Sequence, residues 1–165
     1  GSKWGVNISY VKEDKRMGTA GALSLIKSKF KKPFFVVNGD ILTTTKYNNF
    51  LDFHESKKSI ATMGVKRYDY QLPYASIKLD KEKKISEISE KPVYTNLINA
   101  GIYVLSPKII PFIPKNEFYD MPTLLENMIT ESNNVFAYPI DEYWLDVGHK
   151  SDYEKAKGDI KKIKS

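Results

Sequence analysis

Two spacings of apolar residues take turns along this chain. Phe34-Phe35-Val36-Val37 is an unbroken apolar run, with Pro33 before it and Asn38-Gly39-Asp40 after it. Such a run between turn signals predicts a strand buried on both faces, as in a parallel sheet. Thr19 to Phe30 instead carries Leu23, Leu25, Ile26 and Phe30 at helical spacing, and Pro33 predicts where that helix stops. Thr45 to Ser56 predicts a second helix with Phe50, Leu51 and Phe53 turned inward and His54 on its surface. Val6 to Val11 alternates around Ile8 and Tyr10 and predicts an opening strand, and Ile60 to Val65 predicts another. The resulting order, β-α-β-α-β, argues an α/β fold with a mainly parallel sheet.

The pattern then changes. Tyr74 to Leu79 and Ile85 to Ile88 predict an antiparallel pair around the charged turn Asp80 to Lys84. Leu97 to Leu105 predicts a longer strand containing Gly101, and a glycine inside a strand marks a bulge or a close backbone approach. Met121 to Ile129 predicts a helix with Leu124, Leu125, Met128 and Ile129 on one face. Val135 to Pro139 and Tyr143 to Val147 predict strands. Ser151 to Ile163 predicts a closing helix, with Ser151 as N-cap and Tyr153, Ala156, Ile160 and Ile163 along its apolar stripe.

Composition narrows the class. The chain has 165 residues, 28% of them charged and 41% hydrophobic, which suits one globular domain with a real core. No apolar run approaches the ~20 residues of a membrane span, and no basic start precedes an apolar h-region. These features predict a soluble, cytoplasmic protein with no membrane partner. Gly1-Ser2 reads as the remnant of a cleaved tag. Cysteine is absent, so disulfides, thiolate nucleophiles and cysteine-bound zinc are excluded within the chain. The net charge of +6 favours anionic partners. Its lysines are dispersed, with short groups at Lys27 to Lys32, at Lys81 to Lys84 and in the tail, and no nucleic-acid-binding motif accompanies them. No nucleic-acid partner is therefore expected.

Five segments could carry chemistry, and each also has a plain structural reading. Gly18-Thr19-Ala20-Gly21-Ala22-Leu23 sits where a strand gives way to a helix. Small residues there admit a flat ligand, and the helix start offers free N–H donors; the plain reading is close helix–sheet packing. Val36-Val37-Asn38-Gly39-Asp40 puts an acid at the C-terminal end of a buried strand, where open α/β sheets bind ligands and a carboxylate can hold Mg²⁺. The rival is an Asn-Gly hairpin turn, for which Ile41 to Thr45 makes a poor partner strand. Glu90-Lys91-Pro92 could offer a hydroxyl acceptor and a phosphate partner, or simply be an exposed charge pair. Asn99-Ala100-Gly101 could shape a pocket or serve packing. Trp144-Leu145-Asp146-Val147-Gly148 repeats the strand-end acid of Asp40, so the two acids could share one metal; otherwise it is a strand leading into a capped helix. His149 could help that cap.

Taken in order, Gly18 to Leu23, Phe34 to Leu42, Tyr74 to Asp80, Ile88 to Pro92, Asn99 to Leu105 and Trp144 to Ala156 resemble the nucleotidyltransferases that make nucleotide-sugars. The resemblance covers nearly the whole chain. Its flavour is that of mannose-1-phosphate guanylyltransferases and related hexose or heptose enzymes, mainly through Gly18 to Leu23. It implies a Rossmann-like three-layer sandwich with a mainly parallel mixed sheet. It implies that residues 3–165 form a single catalytic domain, incomplete at its N-terminus and lacking the first βα unit. Gly18, Thr19, Ala20 and Gly39 would bind the nucleotide. Tyr74, Ala75, Glu90, Asn99 and Gly101 would bind the sugar. Asp40 and Asp146 would hold Mg²⁺, and Lys91 would meet the sugar phosphate, making these three the catalytic set. The implied partners are a nucleoside triphosphate and a sugar 1-phosphate.

Two departures accompany the resemblance. The family commonly has Tyr-Gly where this chain has Tyr74-Ala75. Its opening glycine-rich triphosphate loop has no counterpart in Lys3 to Arg16, and neither Gly-x-x-x-x-Gly-Lys-Ser/Thr nor Gly-x-Gly-x-x-Gly appears there. The expected function is transfer of a nucleotidyl group, GMP in the leading case, by a longer parent enzyme, with little activity in this chain alone. The alternative is a non-catalytic nucleotide-sugar-binding regulatory module. Without the first βα unit, exposed sheet edges predict self-association into a homo-oligomer.

Overall fold

The structure is a computed structural model that describes residues 1–26 and 30–163. Its centre is a four-stranded sheet in the order β1-β6-β3-β7, formed by β1 (Phe34–Val37), β3 (Ala61–Gln71), β6 (Val93–Leu105) and β7 (Val135–Pro139). β6 runs antiparallel to both β1 and β3, and β7 runs parallel to β3. Three of the four strands therefore share one direction, but β1, expected to be buried on both faces, is a half-buried terminal strand of this sheet. Two further ladders stand apart: β2 (Ile41–Thr43) pairs antiparallel with β8 (Trp144–Asp146), and β4 (Ser76–Leu79) pairs antiparallel with β5 (Ile85–Ser89).

The layering follows from the period-two alternation of β6. Tyr103 and Leu105 join a core with Leu23, Met121, Leu124, Leu125 and Met128. Ala100, Ile102 and Val104, the alternate positions, join a second core with Phe50 and Ile140. One sheet face thus packs against α1 (Gly18–Gly21) and α3 (Met121–Thr130), and the other against α2 (Tyr47–Ser56). This is the expected α/β three-layer sandwich. The closing helix α4 (Lys150–Ile163) lies beyond β8.

Several sequence expectations need correction. Val6 to Val11 forms no strand, because its alternating residues find no partner strand among the described residues. The helix expected over Thr19 to Phe30 is only the four-residue α1 followed by a 3₁₀ turn over Ala22–Leu25. Residues 27–29 of that expectation, with Lys27 and Lys29, lie outside the described residues. His54 is buried, not on the helix surface: it lies one turn from Phe50 on the same face, and its Nδ1 is 2.8 Å from Thr62 Oγ1. α4 begins at Lys150, so Ser151 is not its N-cap. His149 takes that place, its carbonyl accepting the Tyr153 N–H and its own N–H donating to the Asp152 carboxylate at 3.3 Å. Asn38-Gly39 does not close a hairpin, since β2 leaves β1 and pairs with β8, a hundred residues away in sequence.

Candidate functional site

The β2–β8 ladder brings the two acid-bearing segments onto neighbouring strands. Ile41 lies opposite Asp146, and the Val147 N–H donates to the Asp40 carbonyl at 2.8 Å. Asp146 is therefore level with Ile41 and Asp40 with Val147, so the two acids, both exposed, fall on alternate faces of the ladder. Among the described residues neither carboxylate enters an ion pair. Their cavities differ. Asp40 lines one of about 330 Å³ with Val147, Tyr153 and Ile160, while Asp146 lines one of about 350 Å³ with Tyr68, Trp144, His149 and Asp152. No group of three potential metal ligands occurs among the described residues. Exposed carboxylates are the donor type that Mg²⁺ takes, one or two at a time with substrate phosphates and water completing its shell, and here each acid lines its own cavity.

Three anchors hold β8 in this register. Lys66 Nζ donates to the carbonyls of Ile140 at 2.9 Å, Asp141 at 3.3 Å and Glu142 at 2.9 Å. The Thr44 N–H and Thr43 Oγ1 both donate to the Tyr143 carbonyl. Trp144 Nε1 donates to the Ala100 carbonyl at 2.8 Å, tying β8 to β6. Beyond them, the Tyr143 hydroxyl donates to Asp159 at 2.7 Å and tethers α4. Burial first, then the Asp159 carboxylate, pushes the Tyr143 phenol up to about 12.

Asn99, Ala100 and Gly101 lie at the same end of the sheet, and their side-chain chemistry is spent internally. Asn99 Nδ2 donates to the Tyr103 hydroxyl, and its Oδ1 accepts the Gly101 N–H. Burial pushes the Tyr103 phenol up, and the Asn99 hydrogen bond opposes that. Gly101 has φ +67°, and a Cβ there would stand 2.8 Å from Asn38 Nδ2. A glycine is needed because the strand bulges against the end of β1, where the register with β3 shifts between Met63 and Val65.

A second group forms at the far end of β3 and β6. Ser76 pairs with Ser89 in the β4–β5 hairpin, so the next residues outward, Ala75 and Glu90, flank each other. Tyr74, Ala75, Glu90 and Lys91 are all exposed there. Lys91 has φ +44°, unusual for a residue with a side chain, and its carbonyl accepts from Gln71 Nε2 at 3.0 Å. Lys91 lies just ahead of β6, and from the first strand residue, Val93, to Asn99 the strand runs about 20 Å at ~3.3 Å per residue.

The third group surrounds Gly18, Thr19 and Ala20. The free helix-start donors expected there are already occupied. Thr19 N donates to Asp120 Oδ1 at 3.0 Å, and the Ala20 and Gly21 N–H groups both donate to the Tyr119 carbonyl at 2.9 Å. Thr19 Oγ1 accepts the Met121 N–H at 2.8 Å. Ala20 is fully buried, while Thr19 remains exposed. Gly18, with φ +73°, allows the loop to lie against Tyr119 and Asp120. Asp120 is a residue the sequence reading missed. Its signal was the Asp-Met-Pro start of α3, an acidic N-cap position ahead of a first-turn proline.

An α/β sandwich with strand-end acids defines a class whose ligands bind at the C-terminal ends of strands. The chain matches the Nucleotidyl transferase family over residues 1–163, and it belongs to that family. It is 32% identical to the mannose-1-phosphate guanyltransferase of Candida albicans over 92% of this chain and 43% of the relative. Among solved structures it is similar to HddC from Yersinia pseudotuberculosis, with 27% identity and a TM-score of 0.61 over 90% of this chain and 64% of that one. The same protein complexed with GMP-PN matches at 25% identity, with the same TM-score and coverage. The chain spans less than half the length of the Candida relative.

Proposed function

We propose that this chain is the larger part of the catalytic domain of a sugar-1-phosphate nucleotidyltransferase that transfers GMP from GTP to a hexose or heptose 1-phosphate. The observation that carries the reading is the family match across residues 1–163. The likeness to a guanyltransferase and to a chain complexed with GMP-PN supports guanine over other bases.

In this reading an oxygen of the sugar 1-phosphate attacks the α-phosphorus of the nucleotide, the bond to the β-phosphate oxygen breaks, and pyrophosphate leaves. Lys91 meets the sugar phosphate, Glu90 accepts sugar hydroxyls, and Tyr74 and Ala75 bound the sugar from the opposite strand of the hairpin. Gly18, Thr19, Ala20 and Gly39 form the nucleotide side, Thr19 being the exposed member of its loop. Asn99 and Gly101 shape the floor between them. Asp40 and Asp146 would hold Mg²⁺, which neutralises phosphate charge as it develops. Catalysis is positioning and charge neutralisation, with no covalent enzyme intermediate. The two groups that the structure holds apart would be drawn together by curling of the β3–β6 arm around the ligand.

This chain alone should turn over several powers of ten more slowly than a full-length relative. Nothing in Lys3 to Arg16 supplies the basic glycine-rich loop for the leaving pyrophosphate, and each such donor is worth ~3 kcal/mol in the transition state. Calorimetric titration with GDP-mannose in the presence of Mg²⁺ tests the pocket. Saturable binding that disappears in Asp40→Ala and Asp146→Ala is expected. Binding unchanged in both variants would refute the assignment of the acids.

One observation favours a second reading, a nucleotide-sugar-binding module without catalysis: the amides of Thr19, Ala20 and Gly21 are already bonded within the chain. Turnover of GTP and mannose 1-phosphate by the full-length parent would eliminate it.

A further inference from the structure

We infer that a cleft at the end of the central sheet opposite Asp40 binds a compact oligophosphate anion between Lys58 and Lys108. The inference is independent of the proposed function. Phe34, Ala61, Leu105 and Val135 stand level in the register, whereas Asp40 follows the other end of β1. Just outside that level a cleft of about 450 Å³ opens, lined by Lys58 to Ile60, Ser106, Lys108, Asn133 and Asn134. Its three segments precede β3, follow β6 and precede β7. The cleft is thus built wholly from the interior of the chain.

Backbone bonds fix the frame of the cleft. The Ile60 N–H donates to the Asn134 carbonyl and the Ser106 N–H to the Ile60 carbonyl, each at 2.9 Å. The buried Ser59 hydroxyl stands 3.0 Å from the same Asn134 carbonyl. Lys58 has φ +50°, a left-handed conformation that turns the chain from α2 into β3. The side chains on this frame are unspent. Among the described residues neither Lys58 nor Lys108 enters an ion pair. Lys66 differs, because its ammonium is used up on three carbonyls. Asn133 Nδ2 reaches only the Met128 sulfur, at 3.9 Å. No carboxylate lines the cleft to neutralise its two cations.

The lining selects the ligand. Two ammonium groups with no acid between them attract an anion, and a hydroxyl and two carboxamides can donate to its oxygens. Lysine binds phosphate as a point charge, and two separate lysines favour more than one phosphoryl group. The volume suits a small molecule. No aromatic side chain lines the cleft, so a nucleobase or single-stranded nucleic acid finds no stacking platform. Ile60 is the only large apolar residue there, too little to hold an acyl chain. Pyrophosphate is the smallest ligand with the required charge. Bound there, it leaves both strand-end acids open and acts from the opposite end of the sheet.

Calorimetric titration of the chain with inorganic pyrophosphate in metal-free buffer reads the site. One saturable site is expected, weakened at least about tenfold when Lys58→Gln and Lys108→Gln are combined, because two charge-assisted contacts are lost. Combining Lys81→Gln with Lys84→Gln removes the same charge from the turn of the β4–β5 hairpin and should leave the affinity within about twofold, since distant surface charges are screened. Lys58 and Lys108 are exposed, so their double variant should keep its circular dichroism spectrum and urea midpoint. In amide NMR spectra of the parent, the largest pyrophosphate-induced shifts should fall on residues 58–60, 106 and 133–134. The inference fails if binding does not saturate, if the two double variants weaken it alike, or if the shifts centre on Asp40 or Thr19.

Discussion

β3 and β6 pair antiparallel on both sides of a bulge, and the two halves live in different surroundings. From Ala61 to Val65 and from Ala100 to Leu105 nearly every residue is buried. From Arg67 to Gln71 and from Val93 to Leu97 every residue is exposed. The outer half is the more regularly paired, so the difference in burial lies in what covers the sheet faces. The inner half is clamped between the helices, whereas the outer half carries only surface contacts such as the Tyr70–Tyr94 stack at 5.4 Å and the Arg67–Asp69 pair. A ladder without covering layers has little resistance to local opening. The outer half is also where Tyr74, Ala75, Glu90 and Lys91 hang. Burial is concentrated in the inner half, and Tyr74, Ala75, Glu90 and Lys91 sit beyond the half without covering layers.

The largest expected contrast is between cores. Phe50 is fully buried and stacks on Tyr138 with ring centroids 4.4 Å apart. Phe50→Ala should cost about 3–5 kcal/mol in urea denaturation. Leu97→Ala, in the outer half, should stay within about 0.5 kcal/mol. Equal losses would erase the distinction.

Gly101 marks where the inner half begins, and its substitution sharpens the boundary. Gly101→Ala should destabilise by about 1–3 kcal/mol through left-handed strain and contact with Asn38. Adding Asn38→Ala should relieve the contact and leave the strain. A double variant as stable as the parent would mean that the backbone is not strained there.

The pH dependence of stability should come from the inner half too. Burial, opposed by Glu55, lowers the His54 pKa, and its Nδ1 meets Thr62. The folded protein therefore favours the neutral ring. Above the unfolded value near 6.5 the ring is neutral in both states and its contribution is intact. As pH falls below that value the unfolded chain takes up the proton first, so stability declines, no faster than about 1.4 kcal/mol per pH unit. His54→Gln should flatten that slope in urea titrations between pH 7 and 5. An unchanged slope would assign it to other groups.

The smallest effect belongs to the hairpin. Lys78 and Glu87 pair at 2.8 Å on its surface, each more than half exposed. Glu87→Gln should leave the unfolding midpoint where it is. A shift comparable to that of Gly101→Ala would show the hairpin to be structurally coupled to the core.

Much of this was legible before the structure. A continuous apolar run marked β1, helical spacing marked α2, α3 and α4, and the two strand-end acids fell on neighbouring strands. His54 could have been read as buried from its position four residues after Phe50. Asp120 and Lys66 were not legible, because their partners lie 101 and 74 or more residues away in sequence. Local pattern determined which segments could be strands or helices and which faces were apolar, because side-chain periodicity is set within a few residues. Tertiary structure alone decided that β2 would abandon β1 for β8, that the loop at Thr19 would spend its donors on Asp120 and Tyr119, and that residues 6–11 would find no ladder. A strand needs a neighbour to satisfy its backbone, and which neighbour is at hand depends on the whole chain.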